Sequence, residues 1–175
     1  EPLVNRIPND LGCMLELIFV EGNSTDNTLG EIERVAAKYQ SFRKDLTIRV
    51  LKQTGKGKND AVRLGFTEAT GELLTILDAD MTMPQELLGR FYFAYVRGLG
   101  DFINGSRLVY PMEGQAMKFL NHIGNVFFAK VLSFVLEVSI SDSLCGTKLL
   151  SRRDYQRVVE WRKVFGDIDP FGDFE

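Results

Sequence analysis

The sequence predicts an α/β domain: a mostly parallel, Rossmann-like sheet with helices on both faces. Three observations carry this expectation. Three apolar runs, LELIFVE (15–21), LTIRVLK (46–52) and ELLTILDAD (72–80), read as strands, and the segments between them place apolar residues at helical spacing. The strand runs are largely apolar instead of alternating, as a sheet covered on both sides requires. Finally, 175 residues with 45% hydrophobic content suffice for one domain with a full core.

In chain order, TDNTLGEIERVAAKYQ follows the first strand and sets Leu29, Ile32, Val35 and Ala36 on one face, with Ser24 or Thr25 as the expected N-cap. KNDAVRLGFTEATG follows the second strand, spaces Ala61, Leu64, Gly65 and Ala69 along a face and offers Gly71 as C-cap. PQELLGRFYFAYVRG opens on Pro84 and stops near Gly98. A weaker fourth strand is expected in DFINGSR (101–107). Beyond residue 110 the pattern changes to a long helix over about 115–137, the polar loop SISDSLCGTK and a short helix over 152–161. There are no repeats, low-complexity tracts or linkers, so 1–175 is expected to be a single domain.

The net charge of −3 argues against a general nucleic-acid binder. Cys13 and Cys145 lie far apart and make no CxxC pattern, which favours a reducing compartment over a structural disulfide. His122 is the only histidine, so multi-histidine zinc sites are excluded and a Ser-His-Asp scheme is weakened; the residue reads as structural or surface. The sequence opens with neither a secretory signal nor an initiator Met. The most apolar stretch, VFFAKVLSFVLEVSI (126–140), contains Lys130 and Glu137. At about 22 Å it falls short of a ~30 Å bilayer core, so core packing is expected for it over a membrane contact.

The chemistry is expected where the third run ends in Asp78 and Asp80. Ligands of open parallel sheets bind beyond the carboxyl ends of the strands. Side chains two apart on an extended chain point the same way, so both carboxylates would face one crevice. Two like charges about 5 Å apart repel by roughly 3 kcal/mol at an effective dielectric near 20. A shared proton, a basic neighbour or a divalent cation must offset that, and Mg²⁺ or Mn²⁺ suits such an oxygen site when a diphosphate completes the shell. The plainer alternative is that Asp80 caps a turn and Asp78 is solvated. The first run also ends in an acid, Glu21, and the second leads into KQTGKGKND, where Lys56 and Lys58 flank Gly57 before a helix. That loop reads either as an anion site or as a solvated turn. No Walker A loop occurs, and no G-x-G-x-x-G follows a strand.

Taken in order, these pieces resemble the family-2 glycosyltransferases of GT-A fold, most of all the polyprenyl-phosphate (dolichol-phosphate) sugar transferases. IFVEGNSTDNT is similar to the family's D-D-G-S-T-D-G-T turn, GKGKNDAVRLGF to its G-x-G-x-A-x-x-x-G-F loop and helix, and LLTILDADMTMPQELL to its D-x-D strand. DFINGSR is similar to D-x-V-x-G-S-R, and SDSLCGTKLLSRR to the D-x-x-x-G-F-[RK] loop. The resemblance implies inverting transfer of a hexose from a nucleoside-diphosphate sugar to a polyprenyl phosphate, with Mg²⁺ or Mn²⁺. It also implies a cytoplasmic location against the inner face of a membrane, and no nucleic-acid partner. By position it implies donor binding by Glu21, Lys56, Asp78 and Asp80, with Asp80 and Asp78 on the metal. Arg107, Lys118 and Lys148 would hold the acceptor, and Asp142 would act with Asp80 in catalysis, as base or acceptor-orienting acid.

Several residues depart from the family pattern. Glu21-Gly22-Asn23 stands for Asp-Asp-Gly, Thr82 for a metal-binding Gln of some members, Lys118 for Arg and Thr147 for Phe. The family's opening strand, roughly V-S-V-V-I-P, has no counterpart here and would lie beside the Glu21 and Asp78 strands; a fragment cut at both ends is the expectation. Residue by residue, alternatives stay open: Arg107 could pair with Asp101 or Glu113, and Asp142 could form a turn. As rivals for the whole chain stand a nucleotidyltransferase of similar fold and a non-catalytic sugar-nucleotide-binding domain.

Overall fold

The computed structural model describes residues 1–81, 83–106, 119–142 and 145–165. Helix α1 (Pro2–Arg6) precedes strand β1 (Leu15–Glu21), helix α2 (Thr28–Gln40), strand β2 (Leu46–Lys52) and helix α3 (Gly57–Glu68). Strand β3 (Leu73–Thr75), a 3₁₀ turn (Gln85–Leu87), helix α4 (Leu88–Val96), strand β4 (Phe102–Asn104), helix α5 (Phe119–Leu136), strand β5 (Lys148–Ser151) and helix α6 (Arg152–Phe165) follow. The α/β expectation holds, and the helices do lie on both faces of the parallel pair.

Strands β1 and β2 run parallel in a register from Leu15 opposite Leu46 to Glu21 opposite Lys52. Their alternation sorts the helices. Leu15, Leu17 and Phe19 pack with Leu46 and Ile48 against Val35, Ala36 and Tyr39 of α2, joined by Val4 of α1. Val20 has the opposite parity and meets α3, where a Cβ on Gly65 would touch its methyl at 3.4 Å. Arg43 fastens the lower end: its guanidinium pairs with Asp45 and donates to the carbonyls of Ile7 and Pro8 at 2.8 and 3.0 Å.

The second group of strands is antiparallel, in the order β3-β5-β4. Its middle strand was not expected, because four residues between a polar loop and a helix show no readable periodicity. Its shortness also trims its neighbours. The run expected over 72–80 is a ladder only at Leu73–Thr75, prolonged by Ile76 N–H donating to the Lys148 carbonyl at 3.2 Å. The run expected over 101–107 pairs at Phe102–Asn104.

Helix ends shift where side chains compete for the backbone. Helix α2 starts at Thr28, not beside Ser24 or Thr25, because Asp26 Oδ1 accepts from Thr28 N–H at 3.0 Å and holds the preceding turn. Helix α3 stops at Glu68, before Gly71: Arg49 takes the Glu68 carbonyl at 2.5 Å, and Glu16 takes Thr70 N–H at 2.7 Å. Helix α6 runs to Phe165, longer than expected.

The largest correction concerns the 126–140 stretch, which is not core. Within 126–140 only Ala129 is buried, whereas Phe134 is 86% exposed and Phe127, Val135 and Leu136 are also exposed. A helix apolar on every side presents more surface than its neighbours cover, so one stripe packs and the rest does not. Ser133 marks the packed side, accepting Ile140 N–H at 2.8 Å. No helix among the described residues is long and apolar enough to cross a membrane. The side chain of His122 lies outside the described residues. Cys13 and Cys145 are both free thiols.

Between the two groups of strands lies a cavity of about 780 Å³. All six residues Leu15–Val20 line it on one side, and all seven from Leu73 to Ala79 line it on the other. Successive side chains alternate faces, so an unbroken run along a cavity means that the strand's edge looks into it. Among the described residues neither edge has a pairing partner there. The gap lies where the family resemblance puts a strand. A version of the chain carrying an additional Val- and Ile-rich strand ahead of Glu1 is expected to unfold at a midpoint at least about 5 °C higher. Thermal unfolding followed by circular dichroism checks this, and equal midpoints would refute that placement.

Candidate active site

The carboxyl ends of β1 and β2 are tied by one buried amide. Gln53, 6% exposed, uses its backbone N–H on the Glu21 carbonyl at 2.8 Å and its side-chain Nε2 on the Gly57 carbonyl at 2.8 Å. Asn23, held at φ 61°, donates its side-chain amide back to the Gln53 carbonyl at 2.9 Å. The Glu21 turn and the start of α3 therefore form one unit. Nothing in the sequence marks Gln53; a polar residue just past an apolar strand is ordinary until its burial is seen.

Glu21 itself is 5% exposed, and its Oε1 accepts Ser24 N–H at 2.6 Å. The Ser24 hydrogen bonds hold its carboxyl below the usual glutamate range, assisted by Asn23 N–H and by Lys52. In this structure the carboxylate closes its own turn.

Helix α3 begins at Gly57, whose φ of 83° suits glycine, and Lys56 is the exposed N-cap residue. Asp60 folds back on this loop, accepting Gly55 N–H at 3.2 Å. It is Lys58, in the first turn, that reaches across: its Nζ lies 2.8 Å from Asp78 Oδ1. The basic neighbour demanded by a pair of strand-end acids thus exists, one lysine further along than the residue expected at the donor.

Asp78 and Asp80 do not continue a strand. Met81 N–H donates to the Asp78 carbonyl at 3.2 Å and Met81 adopts φ 57°, so 78–81 is a tight turn. The expectation that extended geometry turns both side chains the same way is therefore corrected: β5 is too short to keep the chain extended to residue 80. Asp78 is half-buried and Asp80 is exposed. Thr82 lies outside the described residues.

The loop before β5 closes the other side. A Cβ on Gly146 would overlap Asp78 Oδ2 and stand 2.8 Å from Lys58 Nζ. Gly105 is also tight at the end of β4, where its N–H donates to the Thr147 carbonyl at 3.0 Å and an added Cβ would lie 2.8 Å from Cys145 Sγ. Thr147 is buried. Asn104 donates to the Asp142 carbonyl at 2.7 Å, and Asp142 is wholly buried. Lys148 donates to the Cys145 carbonyl at 2.9 Å. Arg107 and Lys118 lie outside the described residues. Asp78, Lys58 and the Gly146 loop are thus brought together at one end of the inter-strand cavity, which Asp78 and Lys58 line.

The family described as Glycosyl transferase family 2 matches residues 3–159. A dolichol-phosphate mannosyltransferase of Pyrococcus furiosus is 33% identical over 111 residues, 62% of this chain and 29% of that protein. A dolichyl-phosphate hexose transferase of Haloferax volcanii is 29% identical over 118 residues, 67% of this chain and 50% of that protein. A dolichol-phosphate mannosyltransferase of Saccharomyces cerevisiae is 35% identical over 97 residues, 53% of this chain and 34% of that protein. The chain thus spans half or less of the length of these relatives.

The Glu21 carboxylate gives a pH test. Its folded-state pKa is lowered, so its contribution to stability is complete above the usual glutamate value of 4.5 and is lost as pH falls through the folded value. Glu21→Gln is expected to lower the unfolding midpoint at pH 7, with the gap to the unsubstituted chain closing below pH 4.5. Midpoints measured across a pH series decide it; a gap independent of pH would refute the role of the ionised group.

Proposed function

The chain belongs to glycosyl transferase family 2, and we propose that it forms the donor-binding part of an inverting hexosyltransferase whose acceptor is a polyprenyl phosphate. The observation that carries this is the meeting of Lys58, Asp78 and Gly146, which joins three separate motifs of the sequence at one end of the strands. The relatives named for dolichol phosphate support the acceptor class.

A metal fits the residues present. Among the described residues no group of three or more His, Cys, Asp or Glu side chains gathers, so the protein offers a turn with one or two carboxylates. That is the donor set of Mg²⁺ or Mn²⁺ sites whose remaining ligands are water and diphosphate oxygens. When bound, the ion supplies positive charge to the departing nucleoside diphosphate. Asp80, exposed in the turn, and Asp78 are the residues that hold it in this reading, and Glu21 and Lys56 flank the nucleotide.

In the transfer itself, an oxygen of the acceptor phosphate forms the new bond to the anomeric carbon. The bond from that carbon to the diphosphate oxygen breaks, and its electron pair leaves with the nucleoside diphosphate. A phosphate acceptor is already anionic, so no strong base is required, which accords with the full burial of Asp142. In this scheme Asp142 orients the loop that carries Lys148. Arg107, Lys118 and Lys148 position the acceptor and screen its repulsion from the donor.

Incubation with nucleoside-diphosphate sugars, Mn²⁺ and a polyprenyl phosphate is expected to release the nucleoside diphosphate. EDTA should abolish that release, and Asp80→Ala should lower kcat/KM at least about 100-fold. Release of pyrophosphate from a nucleoside triphosphate would favour the nucleotidyltransferase instead. Donor binding by calorimetry that ignores both EDTA and Asp80→Ala would favour a non-catalytic binding domain.

A further inference from the structure

We infer that Gln53 is a positioning residue for the donor: its buried side-chain amide fixes Lys56 relative to the Glu21 turn, so that a nucleoside diphosphate meets one pre-arranged seat. The inference rests on the donor reading given above and adds to it a residue that itself touches no substrate.

Gln53 meets the turn at each of residues 21–23. Its N–H donates to the Glu21 carbonyl at 2.8 Å, and its carbonyl accepts the Asn23 side-chain amide at 2.9 Å. Between those two residues, a Cβ on Gly22 would stand 3.2 Å from Gln53 Oε1, tighter than ordinary packing. The backbone of Gly22 is outside the left-handed region, so glycine serves there for space. The departure from Asp-Asp-Gly at Glu21-Gly22-Asn23 thus has a counterpart in the structure. The side chain missing at residue 22 makes room for the Gln53 amide, and the one present at residue 23 bonds the same residue.

The other end of the same side chain holds the lysine loop. Gln53 Nε2 donates to the Gly57 carbonyl at 2.8 Å and so closes residues 53–57 on themselves. Asp60 braces that loop from within α3, accepting Gly55 N–H at 3.2 Å, and a Cβ on Gly55 would overlap its carboxylate. Lys56 sits between these two fastenings with its side chain exposed. Its backbone is extended and turns left-handed at Gly57. A lysine is a flexible stem, so it can favour one phosphate position only as far as its backbone is fixed. Without the Gln53 amide the Glu21 turn and the Lys56 loop would persist as separate pieces, and binding would have to order one against the other.

The test is calorimetric titration of the whole chain with GDP and with UDP, Mn²⁺ present, each variant first checked for folding by its unfolding midpoint. Gln53→Met keeps the bulk and loses the donor; it is expected to weaken the tighter-binding diphosphate about fivefold or more. Lys56→Ala should cost about fivefold in the unsubstituted chain but less than about twofold in the Gln53→Met background. A purely structural role for Gln53 would leave the Lys56→Ala effect the same in both. Gly22→Ala crowds the amide and removes no hydrogen-bonding group, so it carries the same cycle should Gln53→Met not fold. It is expected to weaken binding at least about twofold and to shrink the Lys56→Ala effect. An undiminished Lys56→Ala effect in these backgrounds, or unaltered binding by Gln53→Met, would overturn the inference and leave the donor reading standing. Failure of the unsubstituted chain to bind either diphosphate would overturn both.

Discussion

Neither β3 nor β4 pairs with the other; each finds its backbone partners in the four residues of β5. That dependence governs the active end of the molecule. An antiparallel strand inserted between two parallel ones must enter from the end where its neighbours finish. The residues that lead into it, Cys145 to Thr147, are therefore delivered to the carboxyl ends of β3 and β4. Gly146 arrives at Asp78 and Thr147 at Gly105 because the ladder begins at Lys148. The central strand's hydrogen bonds, individually worth only about 1 kcal/mol net, thus fix a chemical geometry far from their own energy scale.

The parallel half was legible because its signals are long and redundant. β1 and β2 are seven-residue apolar runs whose bounds come out as read, and the intervening helix shows its buried face at Val35 and Ala36. The antiparallel half was legible only in outline. Three- and four-residue strands are shorter than one reliable period, so β5 was invisible and β3 was drawn too long. At the site, the types of residue were readable and their pairing was not. Lys58 stood in the quoted loop, yet which of two lysines crosses to Asp78 depends on where α3 begins, set by Gln53 on the Gly57 carbonyl. Gly146 could be read as a glycine of a motif, but its steric role requires the coordinates of another segment.

The apolar surface of α5 follows a different logic from the rest. Elsewhere the exposed faces are laced with ion pairs, such as Arg49 with Glu16 and Glu68. Along the described part of α5 the exposed large apolar residues are Phe127, Phe128, Val131, Phe134, Val135 and Leu136. Sequence periodicity identifies a helix but not how many of its sides find neighbours, so that surface could not be anticipated from composition alone.

The margins of β1 and β3, unpaired among the described residues, have a consequence for how this polypeptide behaves among its own kind. Unsatisfied amide and carbonyl rows are templates for foreign strands, and proteins normally blunt them with charges, prolines or bulges. Here both margins look inward across a slot lined mostly by apolar residues, on β1 by Leu15, Leu17 and Phe19 beside Glu16 and on β3 by Leu73 and Leu74 beside Thr75. Each wall shelters the other from bulky neighbours but not from a slender, extended segment. Such margins are where an extended segment would add as a further strand.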